Sequence, residues 1–134
     1  MIGKIDHVGY LVKNINKASA SFGEFGFAAV SDITRDEYRG VDICFMEKDG
    51  YVIELVCPYT RESIVAGIVK THRNSPYHIC YRVKDISDAK ARLEEAGFIS
   101  MDEPAPAPAM ENKPVCFLMS ARMGMIELVE NKED

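Results

Sequence analysis

Residues 4–12 alternate between two sets of side chains: Val8, Tyr10 and Val12 on one side, Ile5, His7 and Leu11 on the other. Strict alternation of this kind predicts a half-buried strand. At Asn14 the period changes. Ile15, Ala18, Phe22 and Phe25 recur at helical spacing, with Asn14 as the N-cap and Gly26 as the stop. Strands are predicted near 27–33, 41–46 and 51–56, and Asp49-Gly50 marks a hairpin between the last two.

The same order then recurs. HVGYLVKNINKASASFGEFGF (7–27) aligns without gaps on HICYRVKDISDAKARLEEAGF (78–98), at an offset of 71 and with ten of 21 positions identical. Ile53-Glu54-Leu55-Val56 matches Ile126-Glu127-Leu128-Val129 at an offset of 73. The second copy has Asp85 as its N-cap, Ile86, Ala89, Leu93 and Ala96 on its helix and Gly97 as its stop. Strands follow near 98–101, 115–119 and 125–130. The repeat predicts an α+β protein of two tandem βαβββ modules, residues 4–56 and 76–131, within a single domain spanning 1–134. The linker, 57–75, is apolar at Ile64, Val65 and Ile68 and fits a short helix over Glu62–Thr71. Pro104-Ala-Pro-Ala-Pro108 is incompatible with a helix or a central strand and predicts a loop beside the second module's sheet.

A length of 134 residues with 47% hydrophobic and 28% charged residues permits one globular domain and excludes disorder and coiled coil. Twenty-one acids against 16 bases give a net charge of −5 with no basic cluster, which argues against a nucleic-acid partner. No apolar run reaches the ~18 residues of a membrane span, and no secretory leader is visible, so a cytoplasmic protein is expected. Cys44, Cys57, Cys80 and Cys116 are widely spaced and read as free thiols.

His7 and His78 occupy the same repeat position. So do Glu54 and Glu127, each the one acid in an apolar strand. A carboxylate in such a setting is costly unless it is paired or binds a metal. Singly, each residue fits an ordinary core or surface role. Together, two His and two Glu in matched places predict ligands of one divalent metal.

The double βαβββ repeat, with His opening the first strand and IELV closing the last, resembles the vicinal oxygen chelate superfamily. The resemblance runs from about Lys4 to Asn131. It implies a glyoxalase-like curled mixed sheet around a metal held by His7, Glu54, His78 and Glu127. Within the superfamily, PYHICYRVKDI (76–86) and NKPVCFLMSARMGMIELVE (112–130) resemble short bacterial glyoxalase I proteins and also methylmalonyl-CoA epimerase, as does the linker CPYTRESIVAGIVK (57–70).

The His/Glu/His/Glu set is that of bacterial glyoxalase I, although some epimerases also carry Glu at the second position, and the absence of the epimerases' extra Glu favours the first. This implies lactoylglutathione lyase activity: isomerisation of a methylglyoxal–thiol hemithioacetal to a D-lactoyl thioester through an enediolate, in methylglyoxal detoxification. Nickel or cobalt is then the expected metal, with zinc or manganese next, Glu127 the catalytic base and Glu54 the opposite candidate. The alternative is a methylmalonyl-CoA epimerase acting on an acyl-CoA. That family's extra Glu falls at Ile43, and Asp42 serves only if the register slips by one. A metal-free drug-binding protein and an extradiol dioxygenase fit less well. Arg35 and Lys113, with Arg39 and Arg122, are candidate substrate contacts near loops. Superfamily relatives are usually dimers, so a homodimer is expected.

Overall fold

The computed structural model describes residues 1–133. They form ten strands, three helices and one 3-10 turn, an α+β protein. The chain divides into two compact units, His7–Tyr77 and Met1–Asp6 with His78–Asp134.

In the first unit, β1 (Ile2–Leu11) runs parallel to β5 (Tyr51–Pro58), which pairs antiparallel with β4 (Val41–Lys48). Two short strands, β2 (Ala28–Ala29) and β3 (Thr34–Asp36), add to β4. Helix α1 (Ile15–Glu24) covers one face of this sheet. Asn14 caps it by accepting from the Lys17 amide at 2.9 Å, as the sequence predicts. Ile15 of the helix packs with Val12, Cys44, Met46 and Leu55, and Tyr10, Phe22 and Phe27 lie at the margin of this cluster. Alternation sends the other set of side chains, including His7, Phe45 and Glu54, to the opposite face.

The second unit repeats this plan. β6 (Ser75–Val83) runs parallel to β10 (Gly124–Glu130), which pairs antiparallel with β9 (Lys113–Ser120). Helix α3 (Ile86–Glu95) is capped by Asp85, which accepts from the Asp88 amide at 3.0 Å. It packs on Val83, Cys116, Leu118, Ile126 and Leu128. Ile2–Asp6 of β1 belongs to this unit, where Asp6 meets Arg82 at 2.8 Å.

Three elements differ from the sequence reading. The strand expected at 27–33 is only Ala28–Ala29, and β3 follows at Thr34–Asp36. Linker helix α2 is Ala66–His72, shorter than the span 62–71 expected. Its N-terminal neighbours are held otherwise: the Ser63 hydroxyl donates to the Arg39 carbonyl at 2.9 Å. The proline-rich stretch contains β8 (Ala105–Ala107) and a 3-10 turn at Pro108–Met110. Proline is tolerated there because Pro106 stands in register with Pro114 of β9, a pair in which neither residue has an N–H to donate across the ladder.

Candidate functional site

Parallel register builds a candidate His–Glu pair in each unit. In the first unit, Gly9 is in register with Glu54, and Glu54 is in register with Phe45 across β4. His7 shares their face, two residues before Gly9. Nε2 of His7 lies 3.2 Å from Oε1 of Glu54, and both side chains are buried. In the second unit, Cys80 is in register with Glu127, and Glu127 with Phe117. Nε2 of His78 lies 3.0 Å from Oε1 of Glu127, and again both are buried.

Each imidazole meets a phenylalanine edge-on. The ring centroids of His7 and Phe45 are 5.3 Å apart, and those of His78 and Phe117 are 5.4 Å apart. These phenylalanines hold the histidine rings in orientation, and the sequence reading missed them. Their match was concealed by the hairpins, where residues 49–50 connect β4 to β5 but residues 121–123 connect β9 to β10. The one-residue difference shifts the repeat offset.

Each pair thus places an imidazole nitrogen against a carboxylate in an apolar, water-poor setting. These donor types suit a divalent cation, which neutralises carboxylates that burial otherwise penalises. The donor set fits a metal.

The candidate substrate contacts have partners of their own. Arg35 makes a two-point contact with Asp42, at 2.9 and 3.1 Å, and its guanidinium stacks 3.8 Å from the Tyr59 ring centre. The bond to Asp42 raises its pKa above the usual arginine value. Asp42 lies on the opposite face of β4 from Phe45 and Ile43, so no register slip turns it towards Glu54. Arg39 is buried, and its Nη1 lies 2.8 Å from Oδ2 of Asp36, also buried. Lys113 opens β9 with Nζ 3.6 Å from Glu111. Arg122 is exposed in the turn before β10.

The four thiols are free, and Cys44, Cys80 and Cys116 are buried. Burial, with Asp102 nearby, pushes Cys116 up to about 12. Burial and Asp32 likewise raise Cys44. Among the described residues, no helix is long and apolar enough to cross a membrane.

Residues 6–117 match the family described as the glyoxalase/bleomycin resistance protein/dioxygenase superfamily. The ethylmalonyl-CoA/methylmalonyl-CoA epimerase of Cereibacter sphaeroides is 34% identical over 119 residues, 88% of this chain and 89% of that protein. The mitochondrial methylmalonyl-CoA epimerase of Homo sapiens is 30% identical over 118 residues, 87% of this chain and 66% of that protein. The crystal structure of a hypothetical protein from Bacillus halodurans aligns with a TM-score of 0.85 at 29% identity, covering 98% of this chain and 96% of that one.

These findings correct the functional expectation. The relatives are epimerases, the second of the two readings, and not glyoxalase I. Lactoylglutathione lyase activity, the methylglyoxal substrate and the nickel preference rested on the first reading and fall with it. With its repeat, its paired histidines and carboxylates and its enzyme relatives, the chain belongs to the glyoxalase/bleomycin resistance protein/dioxygenase, or vicinal oxygen chelate, superfamily.

Proposed function

We propose that the protein is a metal-dependent acyl-CoA epimerase acting at the carbon between a thioester and a carboxylate, as in methylmalonyl-CoA. The observation that carries the reading is a buried His–Glu pair in each unit of a chain 34% identical to an ethylmalonyl-CoA/methylmalonyl-CoA epimerase. His7, Glu54, His78 and Glu127 would together hold one divalent ion. Bound there, such an ion would supply positive charge against the negative charge developing on the substrate.

Epimerisation breaks the C–H bond at the reacting carbon and leaves its electron pair delocalised into the thioester as an enolate. A proton then returns to the opposite face of the same carbon. The reaction therefore needs two proton-transfer groups. Glu54 and Glu127 are the matched carboxylates, one taking the proton at a carboxylate oxygen and the other delivering one. The imidazoles of His7 and His78, braced by Phe45 and Phe117, present Nε2 beside those carboxylates and would share the ion with them. The apolar strands around them keep bulk water off the reacting carbon during the transfer, while the carboxylates exchange their protons with solvent between turnovers.

Arg35 and Lys113 are read as contacts for the phosphates of the CoA moiety. Replacing either with Gln should raise KM with little change in kcat. The protein is read as a cytoplasmic homodimer, and light scattering at micromolar concentration should return twice the chain mass.

The direct test follows deuterium incorporation at the reacting carbon of one methylmalonyl-CoA epimer in heavy water, with protein stripped of metal and then reloaded with cobalt, zinc or manganese. Exchange accompanied by appearance of the other epimer is expected. Absence of both with every metal overturns the reading.

A further inference from the structure

The two units present their carboxylates in closely matched surroundings, with one class of exception. On the shared face, Phe45 answers Phe117 across the antiparallel ladder, and Val56 answers Val129 two residues along. The position in register on the parallel neighbour does not match. Beside Glu54 it is Gly9, and beside Glu127 it is Cys80. Both are buried, and they are the same position of the 71-residue repeat. Two residues before each carboxylate the difference runs the same way, with Val52 against Met125.

Neighbouring strands lie about 4.8 Å apart, and residues in register send their side chains to the same face. Cys80 therefore sets a methylene and a sulfur alongside Glu127. Gly9 sets no side-chain atom alongside Glu54. A glycine inside a strand weakens it and marks a place where something else approaches closely.

We infer that Gly9 is a specificity-determining residue: the alkyl substituent on the substrate's reacting carbon is received beside Glu54, against the bare backbone of Gly9, while Cys80 closes the equivalent space beside Glu127. The inference rests on the acyl-CoA reading above. It makes position 9, and not position 80, the limit on alkyl size.

The test compares methylmalonyl-CoA with ethylmalonyl-CoA as substrates for the wild type, Gly9→Ala, Gly9→Cys and Cys80→Ala. Two further readouts stand apart from turnover: calorimetric binding of propionyl-CoA and butyryl-CoA, and bound metal per chain. Gly9→Ala should lower the ethyl-to-methyl ratio of kcat/KM by about tenfold, the scale of one methylene in a closed pocket. It should weaken butyryl-CoA more than propionyl-CoA and leave bound metal unchanged. Gly9→Cys should do the same more strongly, and Cys80→Ala should leave the ratio as it is.

An unchanged ratio in Gly9→Ala, or a ratio raised by Cys80→Ala, overturns the inference. Should Gly9→Cys fail to fold, the two alanine variants still decide. A wild type that epimerises both substrates with a ratio indifferent to position 9 refutes the inference alone. A wild type that neither binds nor exchanges any acyl-CoA refutes the functional reading, and the inference with it.

Discussion

Glu54 and Glu127 sit among apolar side chains, where an unpartnered carboxylate costs several kcal/mol. Each instead meets a histidine nitrogen within 3.2 Å. Their equivalence predicts equivalent kinetics. Glu54→Gln and Glu127→Gln should each lower turnover by about 10²–10⁴-fold, since Gln keeps an oxygen donor but accepts no proton. Equal, mild losses with metal still bound would show that neither carboxylate moves the proton. Asp42→Asn is the contrast. Asp42 faces away from Glu54, so deuterium exchange at saturating substrate should be unaffected, and the lost contact with Arg35 should show only in KM. Gly40 shows how a single residue fixes a turn. Its φ is +71°, and an added Cβ would lie 2.9 Å from Cγ2 of Thr60 and 3.0 Å from Cβ of Ser63. Gly40→Ala should therefore destabilise the fold by more than about 1 kcal/mol, readable as a lower urea midpoint.

At the scale of elements, what was legible in the sequence is what repetition and periodicity record. The two helices and their caps, the hairpin at Asp49-Gly50 and all four His and Glu positions follow from alternation, helical spacing and the offsets of 71 and 73. Elements with fewer local signals escaped. β3 is three residues long and exists because β4 offers it an edge, and α2 starts late because Ser63 bonds to a distant carbonyl. Neither cause is local in sequence. The sheet's buried face also carries a testable titration. Burial holds the Cys116 thiol at about 12, above the ~8.5 of an unfolded cysteine. The unfolded chain thus loses this proton first as pH rises. The stabilisation is complete below about pH 8.5 and declines between there and 12, by up to about 1.4 kcal/mol per pH unit. Urea unfolding at pH 8 and pH 10 should show a larger loss for the wild type than for Cys116→Ala. Equal losses would place the alkaline sensitivity elsewhere.

At the scale of the whole molecule, duplication explains why a candidate site stands out in one sequence while a substrate does not. The four donors are repeated, so coincidence announces them. Residues that would distinguish an acyl-CoA from a hemithioacetal carry no such repeat signal. Duplication also makes a sharp claim about stoichiometry. If the two His–Glu pairs serve one ion, the chain binds one divalent metal, and loss of either half loses it. Adding cobalt or zinc to chelator-treated protein should raise Tm, because ligand held at 100 times its Kd stabilises the folded state by about 2.7 kcal/mol. His7→Ala and His78→Ala should each abolish that rise, and the double variant should do no more. Metal analysis should fall from one ion per chain to none in either single variant. Were the pairs independent, each single variant would keep half the metal of a two-ion protein and part of the thermal shift. Non-additivity is therefore the observation that separates one shared centre from two separate ones, and it is obtained without any assay of turnover.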